Sequence, residues 1–152
     1  MCIRDSVIRL GLHSVKIWSS TQKGVALSSG EAEYNALVKG GSIGIGICSM
    51  LGDFGIEVDS RLQIHTDSSA AKGICNRRGL GKVRHLDVHT LWIQDRVNKG
   101  DIVIKKVSGE SNISDALTKH VDAAKLGQHL SDTGQYTLSG RHTLMPCVTS
   151  HQ

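Results

Sequence analysis

Arg61-Leu62-Gln63-Ile64-His65-Thr66-Asp67-Ser68-Ser69 decides the fold class of this 152-residue chain. Leu62, Ile64 and Thr66 alternate with Gln63 and His65, the period of a strand with one buried face. Asp67-Ser68-Ser69 then offers side-chain oxygens to a helix start, and Ser68 to Asn76 follows as a short helix. A strand that runs straight into a helix is the repeating unit of α/β architecture.

Working outward, Ser28-Ser29-Gly30-Glu31 fits a capping box and opens a helix that carries Tyr34, Leu37, Ile43, Ile47, Met50 and Leu51 inward. Gly40, Gly41, Gly44 and Gly46 each cost that helix about 1 kcal/mol relative to Ala, so they point to close backbone packing against a sheet. They match neither G-x-G-x-x-G nor a phosphate loop. Upstream, Ser14 to Ser19 alternates as a strand after a turn at Gly11, with Val7 to Leu10 as its partner. Downstream come a loop at Arg77 to Gly81, a helix from Leu86 to Asn98 capped by Lys99-Gly100, a strand from Ile102 to Val107 and a last helix from Ser111 to Lys119. Residues 121–152 lack clear periodicity and are expected to be an appendage.

A net charge of +4 and 39% hydrophobic residues describe one mildly basic globular domain rather than a disordered chain. The most apolar stretch, Ile43 to Leu51, is interrupted by Gly44, Gly46 and Ser49, which excludes a membrane span there. The N-terminus has no signal-peptide core, so an intracellular protein is expected. Cys2, Cys48, Cys75 and Cys147 form no C-x-x-C pair and read as free thiols. His85 and His89 stand at i, i+4 without the Glu of H-E-x-x-H, and read as side chains of a basic helix. Charge is uneven: Lys72 to Lys106 holds nine basic residues against three acids, a local balance of +6, while the remainder sums to −2. That is the footprint of a phosphate-contacting surface, against the plainer alternative of a solvated face.

Glu33, Asp67 and Asp115 stand at element junctions. Each alone fits helix capping or the helix dipole. Together, in the order strand, strand, Glu-bearing helix, strand with Asp67, basic helix, strand, Asp-bearing helix, they describe carboxylates converging on two divalent ions.

Val25-Ala26-Leu27-Ser28-Ser29-Gly30-Glu31-Ala32-Glu33-Tyr34, Thr66-Asp67-Ser68-Ser69-Ala70, Val83-Arg84-His85-Leu86-Asp87-Val88 and Ser114-Asp115-Ala116-Leu117-Thr118-Lys119 carry a resemblance. They resemble the ribonuclease H domain that ends the Pol polyprotein of copia-type LTR retrotransposons, as does Trp18-Ser19-Ser20-Thr21-Gln22. The resemblance implies an α/β, ribonuclease H-like mixed sheet flanked by helices, with residues 1–6 a non-native leader, 7–120 the partial domain and 121–152 a tail. It implies two-metal endonucleolytic hydrolysis of RNA in RNA:DNA hybrids, with Mg²⁺, or Mn²⁺ in its place, held by Glu33, Asp67 and Asp115. Glu31 is instead the capping-box partner of Ser28. Lys72, Arg77, Arg78, Lys82, Arg84 and His85 would grip the nucleic acid, and 2′-hydroxyls would mark the RNA. Aromatic residues are 3% of the chain, so phosphate contacts rather than base stacking should dominate, with Trp92 in the core.

Further implied partners are the reverse transcriptase domain of the same polyprotein and no membrane, in a cytoplasmic particle or the nucleus. The family's first Asp lies in an opening, central strand upstream of this sequence, and Asp5 falls where the family has a polar turn. The chain as written is therefore expected to be inactive and poorly stable. The family's loop histidine is absent from Gly109-Glu110-Ser111-Asn112-Ile113. The competing readings are a catalytically silent nucleic-acid-binding remnant and a generic structural α/β domain.

Overall fold

Leu62–Thr66 (β3) and Ile102–Lys106 (β4) pair in parallel, from Leu62 opposite Ile102 to Thr66 opposite Lys106. Parallel neighbours need a crossover. It is supplied by Ser69–Cys75 (α2), a 3-10 turn at Val88–Thr90 and Trp92–Lys99 (α3). Ahead of them, Ile3–Leu10 (β1) and His13–Thr21 (β2) form an antiparallel hairpin around Gly11, whose φ of +60 suits glycine. Ser29–Asp53 (α1) follows the hairpin, and Ala123–Asp132 (α4) closes the order. The computed structural model describes residues 3–22, 24–57, 61–81, 86–114, 117 and 120–135. The result is a mixed α/β architecture compatible with a ribonuclease H-like fold, with one antiparallel and one parallel pair. Among the described residues, no helix is long and apolar enough to cross a membrane.

Helix α1 starts where the capping box requires. Ser28 is extended and its Oγ accepts from the Glu31 N–H at 3.2 Å, while Glu31 Oε2 accepts from the Leu27 N–H at 2.7 Å. Its glycines divide. A Cβ on Gly41 would touch Ile64, Trp92 and Ile93 at 3.4 Å, and one on Gly44 would meet Leu62 Cδ1 at 2.8 Å, so these two let the helix lie against β3. Gly40 and Gly46 face open space and take no part in that approach. Tyr34 and Leu37 are buried, whereas Met50, expected inward, is 46% exposed in the last turn.

The core comprises Tyr34, Leu37, Ala71, Ile74, Cys75, Leu86, Ile93, Ile102 and Ile104, from α1, α2, α3, β4 and the segment before the 3-10 turn. The Tyr34 hydroxyl donates to the Thr90 carbonyl at 2.8 Å, which gives this buried ring a polar partner.

Other elements depart from expectation. The strand expected from Val7 begins at Ile3, so Asp5 lies within β1 opposite Ser19 rather than in a turn. The helix expected from Leu86 starts at Trp92, because Asp87 is extended with ψ 123 and the chain makes a 3-10 turn first. It ends at Gly100, φ +81, where the Lys99-Gly100 signal stood. No helix begins at Ser111: Ser108 caps a 3-10 turn at Gly109–Ser111 and Asn112 is extended with ψ 99. Asp115, Ala116, Thr118 and Lys119 lie outside the described residues. The tail, expected to be aperiodic, forms α4, capped by Asp122 Oδ1 accepting from the Lys125 N–H at 2.7 Å. It docks on the hairpin turn through Ser14 Oγ, which donates to the Thr133 carbonyl at 2.6 Å. His129 and the C-cap residue Thr133 are buried.

Candidate functional site

Strand β3 ends on Thr66, which is buried, and delivers Asp67 to the surface above the sheet. Thr66 Oγ1 accepts from the Ser68 N–H at 3.1 Å, and Ser68 Oγ caps α2 by accepting from the Ala71 N–H at 3.2 Å. Ser68 thus does the capping and leaves the Asp67 carboxylate outside that role. On α1 the same division recurs. Glu31, 8% exposed, is committed to the helix start, while Glu33, two residues on, is exposed on another face.

Glu33 and Asp67 line one cavity of about 640 Å³, floored by α1 residues that include Leu37, Gly44 and Ile47. Its walls include Asp5–Leu10 of β1, the residues of β3, and Asn112, Ile113 and Ser114. No strand among the described residues other than β2 pairs with β1, and none other than β4 with β3. The chain approaching Asp115 runs beside Asp67: a Cβ on Gly109 would lie 3.8 Å from Asp67 Oδ2. Asn112 Oδ1 accepts from Ser114 Oγ at 2.9 Å and from the Ser114 N–H at 3.3 Å, tying the turn that precedes Asp115. Asp115 itself lies outside the described residues. Among the described residues no three His, Cys, Asp or Glu side chains are grouped to hold a metal ion. Two carboxylates from different elements on one cavity are nonetheless the hard oxygen donors that Mg²⁺ takes, so the fit is to part of a donor set.

The basic segment splits by role. Arg96 pairs with Asp101 at 2.9 Å and Lys99 with Asp95 at 2.8 Å, so α3 neutralises much of its own charge. Lys106 Nζ donates to Ser69 Oγ, and Lys72 lies half-buried on α2. Arg77 turns inward, its Nη2 donating to the Leu80 carbonyl at 2.6 Å, while Arg78 is exposed. Lys82, Arg84 and His85 lie outside the described residues. Trp92 is half-buried against the core rather than offered as a stacking surface. Burial pushes the Cys75 thiol up to about 12, which keeps it protonated and inert. Asp5, set aside in the sequence as a turn residue, stands on the cavity wall, and sequence reasoning passed over Gln94, 4% exposed, on the inward face of α3. A polar side chain between Ile93 and Val97 on an otherwise apolar stripe was the signal for the latter.

No protein-family model matches the chain, and no solved structure matches it significantly. Curated relatives do. The chain is 30% identical over 129 residues, 84% of its length, to the retrovirus-related Pol polyprotein from transposon RE1 of Arabidopsis thaliana. It is 32% identical over 114 residues, 74% of its length, to that from transposon RE2 of the same plant. It is also 32% identical over 108 residues, 70% of its length, to that from transposon TNT 1-94 of Nicotiana tabacum. The matches span 9%, 8% and 8% of those polyproteins.

Proposed function

The chain is a homologue of one segment of the retrovirus-related Pol polyproteins of transposons, and on that premise we propose that it is a ribonuclease H domain, cleaving the RNA strand of RNA:DNA hybrids during reverse transcription. The observation that carries the reading is the shared cavity: Glu33 from α1, Asp67 from the end of β3, and Ser114, the residue before Asp115, all line it. Acids brought together from distant parts of the sequence, beside a segment with a +6 balance, suit a metal-dependent phosphodiesterase better than a structural module.

Glu33, Asp67 and Asp115 would hold the Mg²⁺. When bound, the metal activates water and stabilises charge on the leaving oxygen. The protein's own contribution is placement. Ser68 and Glu31 take up the helix-capping duties, so neither cap draws on the Asp67 or Glu33 carboxylate. Ser111 to Ser114, the residues ahead of Asp115 in the sequence, line the cavity that Glu33 and Asp67 share. Arg78, Lys72 and the residues from Lys82 to His85 would bind the phosphates, with affinity nearly independent of base sequence. The reverse transcriptase domain of the same polyprotein would supply the hybrid, and the compartment is wherever reverse transcription proceeds, a cytoplasmic particle or the nucleus. The second reading is a silent remnant that would bind the hybrid through the same basic residues without cleaving it.

The test uses the whole chain placed behind an Asp-bearing opening strand, with a labelled hybrid and Mg²⁺. Cleavage of the RNA strand that is lost in Glu33→Gln and in Asp67→Asn, with hybrid binding retained, is the expected result. Binding without cleavage in every form supports the remnant, and neither binding nor cleavage overturns both readings.

A further inference from the structure

The Arg77–Gly81 loop is held in a way that its exposure does not require. Gln94, 4% exposed on α3, closes a two-way clamp on Gly79: its Oε1 accepts from the Gly79 N–H at 2.8 Å and its Nε2 donates to the Gly79 carbonyl at 3.1 Å. The same Nε2 donates to the Ile74 carbonyl at 2.9 Å, which ties the loop to the end of α2. Both faces of the amide are therefore used. Arg77 adds a second restraint. Its Nη2 donates to the Leu80 carbonyl at 2.6 Å, and its guanidinium covers Gly81, where a Cβ would lie 2.9 Å from Nη1. Gly79 and Gly81 have φ of +74 and +57, so the loop holds a path that only glycine follows easily. Arg78, between the inward Arg77 and the clamped Gly79, is left exposed.

We propose that Gln94 is a positioning residue for nucleic-acid phosphate binding: with Arg77 it fixes the 77–81 loop so that Arg78 is presented to a backbone phosphate of the bound hybrid. The inference rests on the ribonuclease H reading for its ligand, and goes beyond it by separating two adjacent arginines. Arg77 builds the loop and Arg78 makes the contact. A loop already fixed in its binding shape loses less conformational freedom when the ligand arrives, and that is what Gln94 contributes.

The experiment is fluorescence anisotropy of a labelled RNA:DNA hybrid titrated with the whole 152-residue chain at several salt concentrations. Arg78→Ala should weaken binding roughly threefold and flatten the salt slope by about one unit. Gln94→Met, which keeps the volume but loses the clamp, should produce the same loss and the same flattening. The double variant should be no weaker than Arg78→Ala alone, because both act through one contact. Additive losses in the double variant would mean that Gln94 acts through general stability, and would overturn the proposal. So would Gln94→Met binding as tightly as the unaltered chain while Arg78→Ala is weakened, an outcome that leaves the ribonuclease H reading standing. Unchanged binding by Arg78→Ala overturns the phosphate role of the loop, and no binding by the unaltered chain overturns the reading beneath it. If Gln94→Met melts below the assay temperature, Gly79→Ala replaces it: the substitution strains a φ of +74 in open space, away from the core. It must reproduce the loss and its non-additivity with Arg78→Ala, or the proposal falls.

Discussion

The α1 to β4 half of the molecule and the β1–β2 hairpin with α4 are held together by different means. Every member of the buried apolar core comes from the first, whereas Leu12 and Val15 of the hairpin are 76% and 47% exposed. The hairpin is sustained by its ladder and α4 by contacts such as Ser14 to the Thr133 carbonyl. Glu33 and Asp67 both belong to the cored half, and β1 lines the other side of their cavity. The difference teaches that the acids stand on elements that share the buried core, while the β1 wall of their cavity contributes no residue to that core.

Truncating the core should break the comparison most severely. Ile93, 0% exposed, should cost about 2–5 kcal/mol as Ile93→Ala, measured by urea unfolding. Val15→Ala on the hairpin should stay within about 0.5 kcal/mol. Similar losses at both sites would show that the hairpin shares the core after all.

Two glycines of α1 sharpen the contrast within one helix. Gly44→Ala places a Cβ 2.8 Å from Leu62 Cδ1 and should destabilise by about 1–3 kcal/mol through overpacking. Gly46→Ala meets nothing within 4 Å and should stabilise by about 0.5–1 kcal/mol through helix propensity. The same unfolding curves report both signs.

Tyr34→Phe should cost about 1 kcal/mol, the net worth of one buried hydrogen bond, because the Thr90 carbonyl loses its donor. Stability should also depend on pH. The Cys75 thiol is raised from 9.0 to about 12 by burial, so the folded state favours the neutral form. That contribution is fully present below pH 9.0 and is lost as pH rises toward about 12. Unfolding free energy should therefore fall over that window, and Cys75→Ala should make the fall shallower.

The sequence was most legible where short-range chemistry decides. Ser28 with Glu31, Ser68 before α2, and Gly100 after α3 are caps whose donors and acceptors lie within a few residues, and each stands where its motif required. The alternation in Leu62–Thr66 marked β3 in the same way, and the strand read from Ile102 to Val107 is β4, while their parallel pairing was not written in either stretch. Legibility failed where distant packing decides. Helix α4 rests on the hairpin turn through Ser14 and Thr133, which no local pattern joins. The extended Asp87 that delays α3 is tied by its carbonyl to Thr90, whose own carbonyl accepts from Tyr34 in α1. At the site, the junction positions named Glu33 and Asp67, but Gln94 acts through a clamp across 15 residues and was visible only as a polar residue on an apolar stripe.

The most direct test of the central claim is the separation of the Asp67 and Asp115 carboxylates in a crystal structure grown with Mg²⁺. The account predicts a distance within about 10 Å, which two bound ions can bridge. A larger separation would contradict the shared metal site on which the proposed cleavage depends.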